Sequence, residues 1–269
     1  MQNLAPPSPA MISVTILTKD SARHLHKVLH AVRGFDEVVV LDSGSSDETL
    51  AIARQFPNVR VYSTQFKGFG PVHNEAAAFA RNDWILSLDS DEVITPALVQ
   101  EIAGLSLDEG CVYSLSMHNF YNGKWIRWCG WHPDEHVRLY HRKRTRFTDA
   151  PVHEAVITNG LRKISLGAPV EHYSYTCVAD FLTKTQRYSE LFAQQHQGKT
   201  RSSVAKAIAH GIGAFLKNYV VKRGFLGGRE GFIISVTGGV CGFYKYMKLL
   251  EANERLASHA ADPDVPSGR

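Results

Sequence analysis

Asp89 and Asp91 stand two residues apart, directly after the apolar run Trp84-Ile85-Leu86-Ser87-Leu88. An acidic pair at that spacing on a strand end can hold a hard divalent cation, Mg²⁺ or Mn²⁺, which takes carboxylate oxygens and keeps positions open for phosphate oxygens. Such a cation neutralises a departing diphosphate. On its own the Asp89-Ser90-Asp91 triplet reads equally well as a solvated turn, where Asp is common. Asp42 shifts the balance. It ends a second apolar run, Val38-Val39-Val40-Leu41, and the small residues after it, Ser43, Gly44 and Ser45, leave room for a flat base. A carboxylate there can accept a hydrogen bond from a uracil imide. Ser45 and Glu48 have the spacing of a capping box that would open a helix through Leu50, Ala53 and Phe56.

These residues need strands that end together. Val14 to Leu17, Val38 to Leu41, Val59 to Tyr62 and Trp84 to Leu88 read as buried strands, and helical periodicity lies between them, as in Leu25, Val28, Leu29 and Val32. Thr95 followed by Pro96 opens a further helix that carries Leu98 and Ile102. The alternation implies an α/β fold, a Rossmann-like, mostly parallel sheet with helices on both faces. Ligands of such sheets bind beyond the carboxyl ends of the strands, where Thr18-Lys19-Asp20, Asp42-Ser43-Gly44-Ser45 and Asp89-Ser90-Asp91-Glu92 all fall. After Cys111 the pattern is less regular. Tyr113, Leu115 and Met117 alternate as a strand, three tryptophans crowd residues 125–131, and Val178 to Gln195 is helical.

The bulk properties fit an ordinary folded protein: 269 residues, 44% hydrophobic and 21% charged. Residues 1–10, with three prolines and no basic residue ahead of an apolar core, read as a disordered tail and not as a secretory signal. The four cysteines form no CxxC pair, which points to a reducing cytoplasm. Cys129 with His132 is at most half a zinc site. The uncharged run from Gly231 to Tyr244 is shorter than the roughly 20 residues that span a bilayer. Between Lys199 and Arg229 lie seven basic residues and no acidic one, interleaved with aromatics. That composition suits an anionic membrane surface, or else a helical pair with a solvated basic face. No nucleic-acid recognition motif accompanies it.

VTILTKD (14–20), VVVLDSGSSDET (38–49), FKGFGPVHNEA (66–76) and WILSLDSDE (84–92) resemble, in order and spacing, the donor-site motifs of family 2 glycosyltransferases with the GT-A fold over residues 11–160. The resemblance implies a UDP-sugar donor, a divalent metal, base binding by Asp42, Asp89 near the ribose or metal, and Asp91 on the metal beside the diphosphate. It also implies that Thr18, Lys19, Asp20, Ser43, Lys67, Asn74 and Ser90 line the donor site. Family members carry their catalytic base on a later acidic residue, often in an ED pair. Here the segment is Trp131-His132-Pro133-Asp134-Glu135-His136-Val137-Arg138-Leu139, so Asp134 is the expected base with Glu135 in reserve. Asp134 also reads as a turn residue after Pro133. Arg138 is placed to contact diphosphate or an anionic acceptor. GT-A enzymes often add a late histidine to the metal shell, which makes His172 the candidate and His153 the second choice, although a chain with 13 histidines has structural ones too.

WILSLDSDE, the PDE-HVRLY segment, HEA and the basic C-terminus look most like small bacterial glycosyltransferases of lipopolysaccharide inner-core synthesis. That resemblance implies an inverting hexosyltransferase moving glucose from UDP-glucose to a core heptose on a lipid-linked saccharide, peripheral on the cytoplasmic face of the inner membrane. Another cell-envelope glycan or lipid-linked acceptor is the alternative. A sugar nucleotidyltransferase normally shows a glycine-rich basic loop after the first strand, where this chain has TKDSARHL, and a non-catalytic glycan binder would release no UDP. The expected organisation is a disordered tail to residue 10, a GT-A domain over 11–198, a basic helical appendage over 199–256 and a disordered tail over 257–269.

Overall fold

The computed structural model describes residues 11–150 and 154–261, the last three by backbone alone. The expected tail over 1–10 therefore lies outside the described residues. Strands β1 (Ile12–Thr18), β2 (Glu37–Asp42) and β3 (Val59–Ser63) alternate with helices α1 (Ala22–Ala31), α2 (Thr49–Ala53) and α3 (Phe69–Phe79). Strand β4 (Trp84–Asp89), the short β5 (Glu92–Ile94) and helix α4 (Pro96–Ala103) follow. Then come β6 (Cys111–Tyr121), β7 (Lys124–Trp125), β8 (Glu135–His141) and β9 (Arg162–Tyr175). Helices α5 (Val178–His196), α6 (Val204–Leu216) and α7 (Gly228–Ala261) complete the described chain.

The sheet order is β3-β2-β1-β4-β8-β6-β9-β5, with β7 beside β6. The first four strands are parallel, as the repeated strand–helix units require, and the pairings beyond β4 are antiparallel. β2 is buried from end to end and β1 nearly so, which explains why both read as unbroken apolar runs. Leu25, Val28 and Leu29 bring one face of α1 onto the core that they share with Val14, Ile16 and Leu86. The Thr95 hydroxyl accepts from the Leu98 amide and Pro96 opens α4, as the sequence indicates.

The register sets the site. Thr18 pairs with Asp42, and Leu17 with Asp89, so the three polar clusters share one sheet edge. The antiparallel pairing of β8 with β4 matches Leu139 to Leu86 and His141 to Trp84, which puts the start of β8 at the carboxyl end of β4. β5 pairs with the end of β9, setting His172 opposite Glu92.

Two expectations are corrected. Helix α2 begins at Thr49 and stops at Ala53, and no Ser45–Glu48 capping box forms. The Ser45 hydroxyl serves Asp42 instead, and the Asp47 carboxylate takes the Thr49 amide at 3.0 Å. The chain also divides into two compact units at other places than residue 198. One holds residues up to 118 and 133–173, the other 119–132 and from 174 onward. In the second unit α7 continues to Ala261, past the end of order expected at 256, because its heptad-like run through Leu249, Ala252 and Leu256 keeps helical spacing.

Candidate active site

The ends of β1 and β2 form a stitched shelf. Asp42 is its centre: Oδ1 accepts from the Thr18 hydroxyl at 2.9 Å and from the Ser45 hydroxyl, and Oδ2 accepts from the Gly44 and Ser45 amides at 2.9 and 2.8 Å. Burial alone would raise the Asp42 carboxyl, but these donors outweigh it and hold it below the ordinary value. A carboxylate has about four acceptor positions, and four donors reach it here. Asp42 therefore shapes the shelf through these four bonds, two from backbone amides and two from hydroxyls. Thr18 and Ser43 are committed likewise, Thr18 to Asp42 and Ser43 to the Thr18 carbonyl at 3.1 Å. The groups that remain at the surface are Lys19 and Asp20. Asp20 takes the Ser46 amide at 2.7 Å, with a positive φ of 47° that Asp tolerates better than most residues. The Lys19 ammonium reaches the Gly44 carbonyl.

At the end of β4 the two carboxylates of the acidic pair differ. Asp89 Oδ2 lies 2.7 Å from Arg138 Nη2, which also binds Glu92, and the Asp89 amide donates to Glu92 Oε2 at 3.0 Å. Arg138 is 9% exposed and Glu92 1%. Burial alone would raise the Asp89 carboxyl, yet the Arg138 guanidinium, with His73 and His172 beside it, holds it well below the usual range. Burial also pushes the Glu92 carboxyl up, against the pull of Arg138. Arg138 thus acts from beneath as a counter-ion and does not reach outward for diphosphate, because β8 carries it into the sheet and its Nε is itself buried without a partner. Asp91 is different. Its Oδ1 faces His172 Nε2 at 3.6 Å, and its carbonyl accepts the Tyr173 amide at 2.9 Å. Burial would lower the His172 imidazole, but Asp91, Glu92 and Asp89 raise it. The Ser90 hydroxyl bonds Ser21 at the start of α1, 2.9 Å away.

Adjacent ligands of one octahedral cation at about 2.1 Å each sit roughly 3 Å apart. The Asp91–His172 pair, both side chains partly exposed, is within reach of that spacing. Asp89 has one oxygen bound by Arg138. Among the described residues no three His, Cys, Asp or Glu side chains gather as a metal cluster. Asp91 and His172 are the pair that would hold a divalent cation at this edge.

Asp134 precedes β8 at this same edge. Its carboxylate lies 3.0 Å from His136 Nε2, and its carbonyl accepts the Met117 amide at 2.8 Å. Glu135 faces the other way. Its Oε2 takes the Ser165 hydroxyl at 3.0 Å, Lys163 at 3.3 Å and Ser114 at 3.2 Å, and these donors keep its carboxyl below the ordinary value. Successive strand residues point to opposite faces, which sets Glu135 apart from Asp134.

Lys67 is exposed and pairs with Glu75 at 3.6 Å. The Asn74 amide clasps the Phe147 backbone, donating to the carbonyl at 3.0 Å and accepting from the amide at 2.9 Å. His153 lies outside the described residues. The half zinc site is absent in the second unit, where Cys129 is buried against Ser235 and His132 packs edge-on to Trp125. Sequence reasoning assigned no role to His73, although it sits inside the FKGFGPVHNEA motif. It is buried, stacks on Phe147 at 4.3 Å, shares a hydrogen bond with Ser87 and points Nε2 at Asp89 from 4.0 Å. Burial pushes its pKa down to about 4, so the ring is neutral near pH 7. Its spacing on α3 with Phe69, Val72 and Ala76 marks it as inward-facing.

Residues 13–166 match the family model described as glycosyl transferase family 2. Along most of its length the chain is similar to an uncharacterized glycosyltransferase of Rickettsia felis, 28% identical over 91% of this chain and 90% of that one. It is 23% identical to the lipopolysaccharide core biosynthesis glycosyltransferase LpsC of Rhizobium meliloti, over 93% of this chain and 96% of that one. Among solved structures it is similar to the mannosyltransferase PcManGT of Pyrobaculum calidifontis, at 16% identity over 97% of this chain and 79% of that one, with a TM-score of 0.47. Since the match covers more than half of the sequence and runs from β1 into β9, the chain belongs to glycosyl transferase family 2 and is a hexosyltransferase on a GT-A fold.

Proposed function

We propose that this enzyme is an inverting transferase that moves glucose from UDP-glucose to a heptose of the lipopolysaccharide inner core, at the cytoplasmic face of a bacterial inner membrane. The observation that carries the chemistry is the placement of Asp89, Asp91 and His172 at the carboxyl end of β4, with Asp89 held by the buried Arg138, and of Asp134 just ahead of β8. The acceptor class is supported by the similarity to LpsC, whose name assigns it to core biosynthesis. A divalent cation bound by Asp91 and His172 would supply charge neutralisation for the leaving diphosphate. The residues of the chain do the rest. The shelf around Asp42 holds the backbone against which the base packs, and Asp20 and Lys19 offer its polar contacts. Asp134, oriented by His136, takes the proton of the acceptor hydroxyl as its oxygen bonds to the anomeric carbon from the face opposite UDP. The bond to UDP breaks with its electron pair, so configuration inverts.

The test supplies UDP-glucose, Mn²⁺ and a heptose-containing core oligosaccharide, and follows UDP release together with the anomeric configuration of the product by NMR. Acceptor-dependent release with a β-linked product is expected, and Asp91→Asn should lower the rate by about 100-fold or more, in line with the loss of one transition-state contact. An α-linked product would end the inverting mechanism. Full activity of Asp91→Asn in the presence of chelator would remove the cation from it.

A further inference from the structure

The second unit carries its own surface feature, which the transfer chemistry does not use. On α6 and the π-helical turn after it, Val204, Ile208, Ile212, Leu216 and Val220 recur every fourth residue, and all five are exposed. On α7, Phe232, Val236, Val240 and Tyr244 repeat the spacing, with Val240 half-buried and the others exposed. Between these two ridges runs an open groove of about 440 Å³ with almost no polar lining, floored by Phe215 and Phe243. The connector adds Val221, 74% exposed, with Phe225 and Leu226. A soluble surface rarely shows so long an apolar face without a partner.

Two further observations say what the partner is. The helices meet through glycines: a Cβ on Gly211 would sit 3.1 Å from Phe243 Cβ, and one on Gly239 would sit 3.0 Å from the Gly211 carbonyl. Close backbone approach through small residues spends little apolar side chain on the contact between the helices and leaves the large residues facing outward, the economy seen where helices pack in lipid. The charge around the face is one-sided. From residue 191 to 250 there are nine Lys and Arg and one acidic residue, Glu230, which is buried and held by Lys124 at 2.9 Å. No helix among the described residues is long and apolar enough to cross a membrane. Apolar ridges with a basic border and no span describe a hairpin that lies in the plane of a bilayer interface.

We infer that the α6–α7 face is a monotopic insertion surface for an anionic bilayer, its ridges entering the acyl boundary, its groove filled by lipid hydrocarbon, and Lys206, Lys217, Lys222, Arg223 and Arg229 set against the headgroups. This deepens the membrane location proposed above and changes its physics. The expectation from sequence alone is a basic patch released by salt, whereas an inserted apolar face stays bound when its charges are screened.

Flotation of the full chain with vesicles tests this without donor or acceptor, so its failure leaves the transferase reading standing. Vesicles of phosphatidylcholine alone and with about a third phosphatidylglycerol serve as probes, at low and high salt. Binding to the anionic vesicles is expected to persist at high salt. Ile212→Glu with Val236→Glu should lower the partition coefficient at least ~10-fold, and Lys217→Ser with Arg223→Ser by about 30-fold at low salt only, at about 1 kcal/mol per headgroup charge. Val221→Trp gives a readout that does not depend on a disruptive substitution: the fluorescence difference between this variant and the parent should shift to the blue on adding anionic vesicles. No flotation with either vesicle, flotation untouched by the paired glutamates, or an unshifted difference spectrum for Val221→Trp would overturn the inference. So would a dimer of the chain that the glutamates dissociate while vesicles bind neither form.

Discussion

Arg138 is the least replaceable cation of the acidic edge, and its removal has a cost that can be worked out. Arg138→Met leaves Glu92, 1% exposed, beside Asp89 with no positive charge between them. Breaking a buried ion pair from one side costs about 3–5 kcal/mol. Glu92 has an escape, because burial already raises its carboxyl, and without Arg138 it takes up a proton. The loss is then capped by the cost of protonating an ordinary glutamate at the working pH. At about 1.36 kcal/mol per unit between about 4.3 and 7, that cap is about 3.7 kcal/mol at pH 7 and about 1 kcal/mol at pH 5. The sign is fixed by linkage: a carboxyl whose folded pKa lies above its unfolded value gives stability at low pH that is lost as pH rises through the folded pKa. Urea unfolding followed by tryptophan fluorescence at pH 5, 6 and 7 should therefore show a deficit for Arg138→Met that shrinks as pH falls. Adding Glu92→Gln should recover most of the stability at pH 7 and remove the pH dependence. A deficit equal at pH 5 and pH 7, or below about 1 kcal/mol at pH 7, would refute the reasoning.

Asp134→Asn is expected to lower kcat by about 10²–10⁴ with the donor KM little changed, the range for loss of a general base, while Glu135→Gln stays within several-fold; steady-state UDP release measures both, and equal losses would sink the assignment. Glu37, fully buried, accepts from Ser13 and the Arg81 amide at 2.7 Å each and pairs with Arg60 at 2.8 Å. Burial raises its carboxyl, but these partners bring it below the ordinary value, so its stabilisation is complete above about pH 4.3 and is lost as pH falls through the folded pKa. Glu37→Gln should cost about 1.5–3 kcal/mol at pH 7, with the difference from the parent shrinking in acid unfolding curves as pH falls below about 4.3. Gly70→Ala places a Cβ 1.9 Å from the Thr148 carbonyl oxygen, backbone against backbone, and is expected to lower the unfolding free energy by about 1–3 kcal/mol or more; a neutral result in urea would show that the 148–150 segment yields freely.

The parallel half of the sheet was legible because burial on both faces writes an unbroken apolar run, as in Val38 to Leu41, and the helices between such runs keep a 3.6-residue period. The antiparallel half was not. β9 is long and lies between β6 and β5, with Gly167, Ala168 and His172 in a sequence that carries no clear alternation. Its role in bringing His172 to Asp91 depends on a pairing with the three-residue β5, and nothing local in Glu92-Val93-Ile94 announces a strand. The boundary between the two units was misplaced for a related reason. Residues 119–132 leave the first unit and return to it, and composition along the chain does not record an excursion.

The roles within the site were harder to read than its location, because each depends on competition for lone pairs and charge. Asp42 has the position of a base-binding carboxylate, and it also accepts from Thr18, Gly44 and Ser45, which the sequence alone does not show. One part of that competition was available in advance. On β8 a period of two separates Asp134 and His136 from Glu135 and Val137, as far as the irregularity in the pairing with β6 between Val137 and Leu139. Beyond that irregularity the faces exchange: Val137 packs with Tyr140 in one cluster, while Leu139 joins the main core. The alternation alone separates Asp134 from Glu135, whereas Arg138 meets Asp89 through the shifted register, which no local period in the sequence records. The same step makes the acidic pair unequal. An arginine delivered by an antiparallel strand meets the end of β4, where Asp89 sits, and leaves Asp91, two residues farther along, with His172 beside it. In the proposed mechanism a cation would therefore go to the outer carboxylate, because the inner one already faces Arg138.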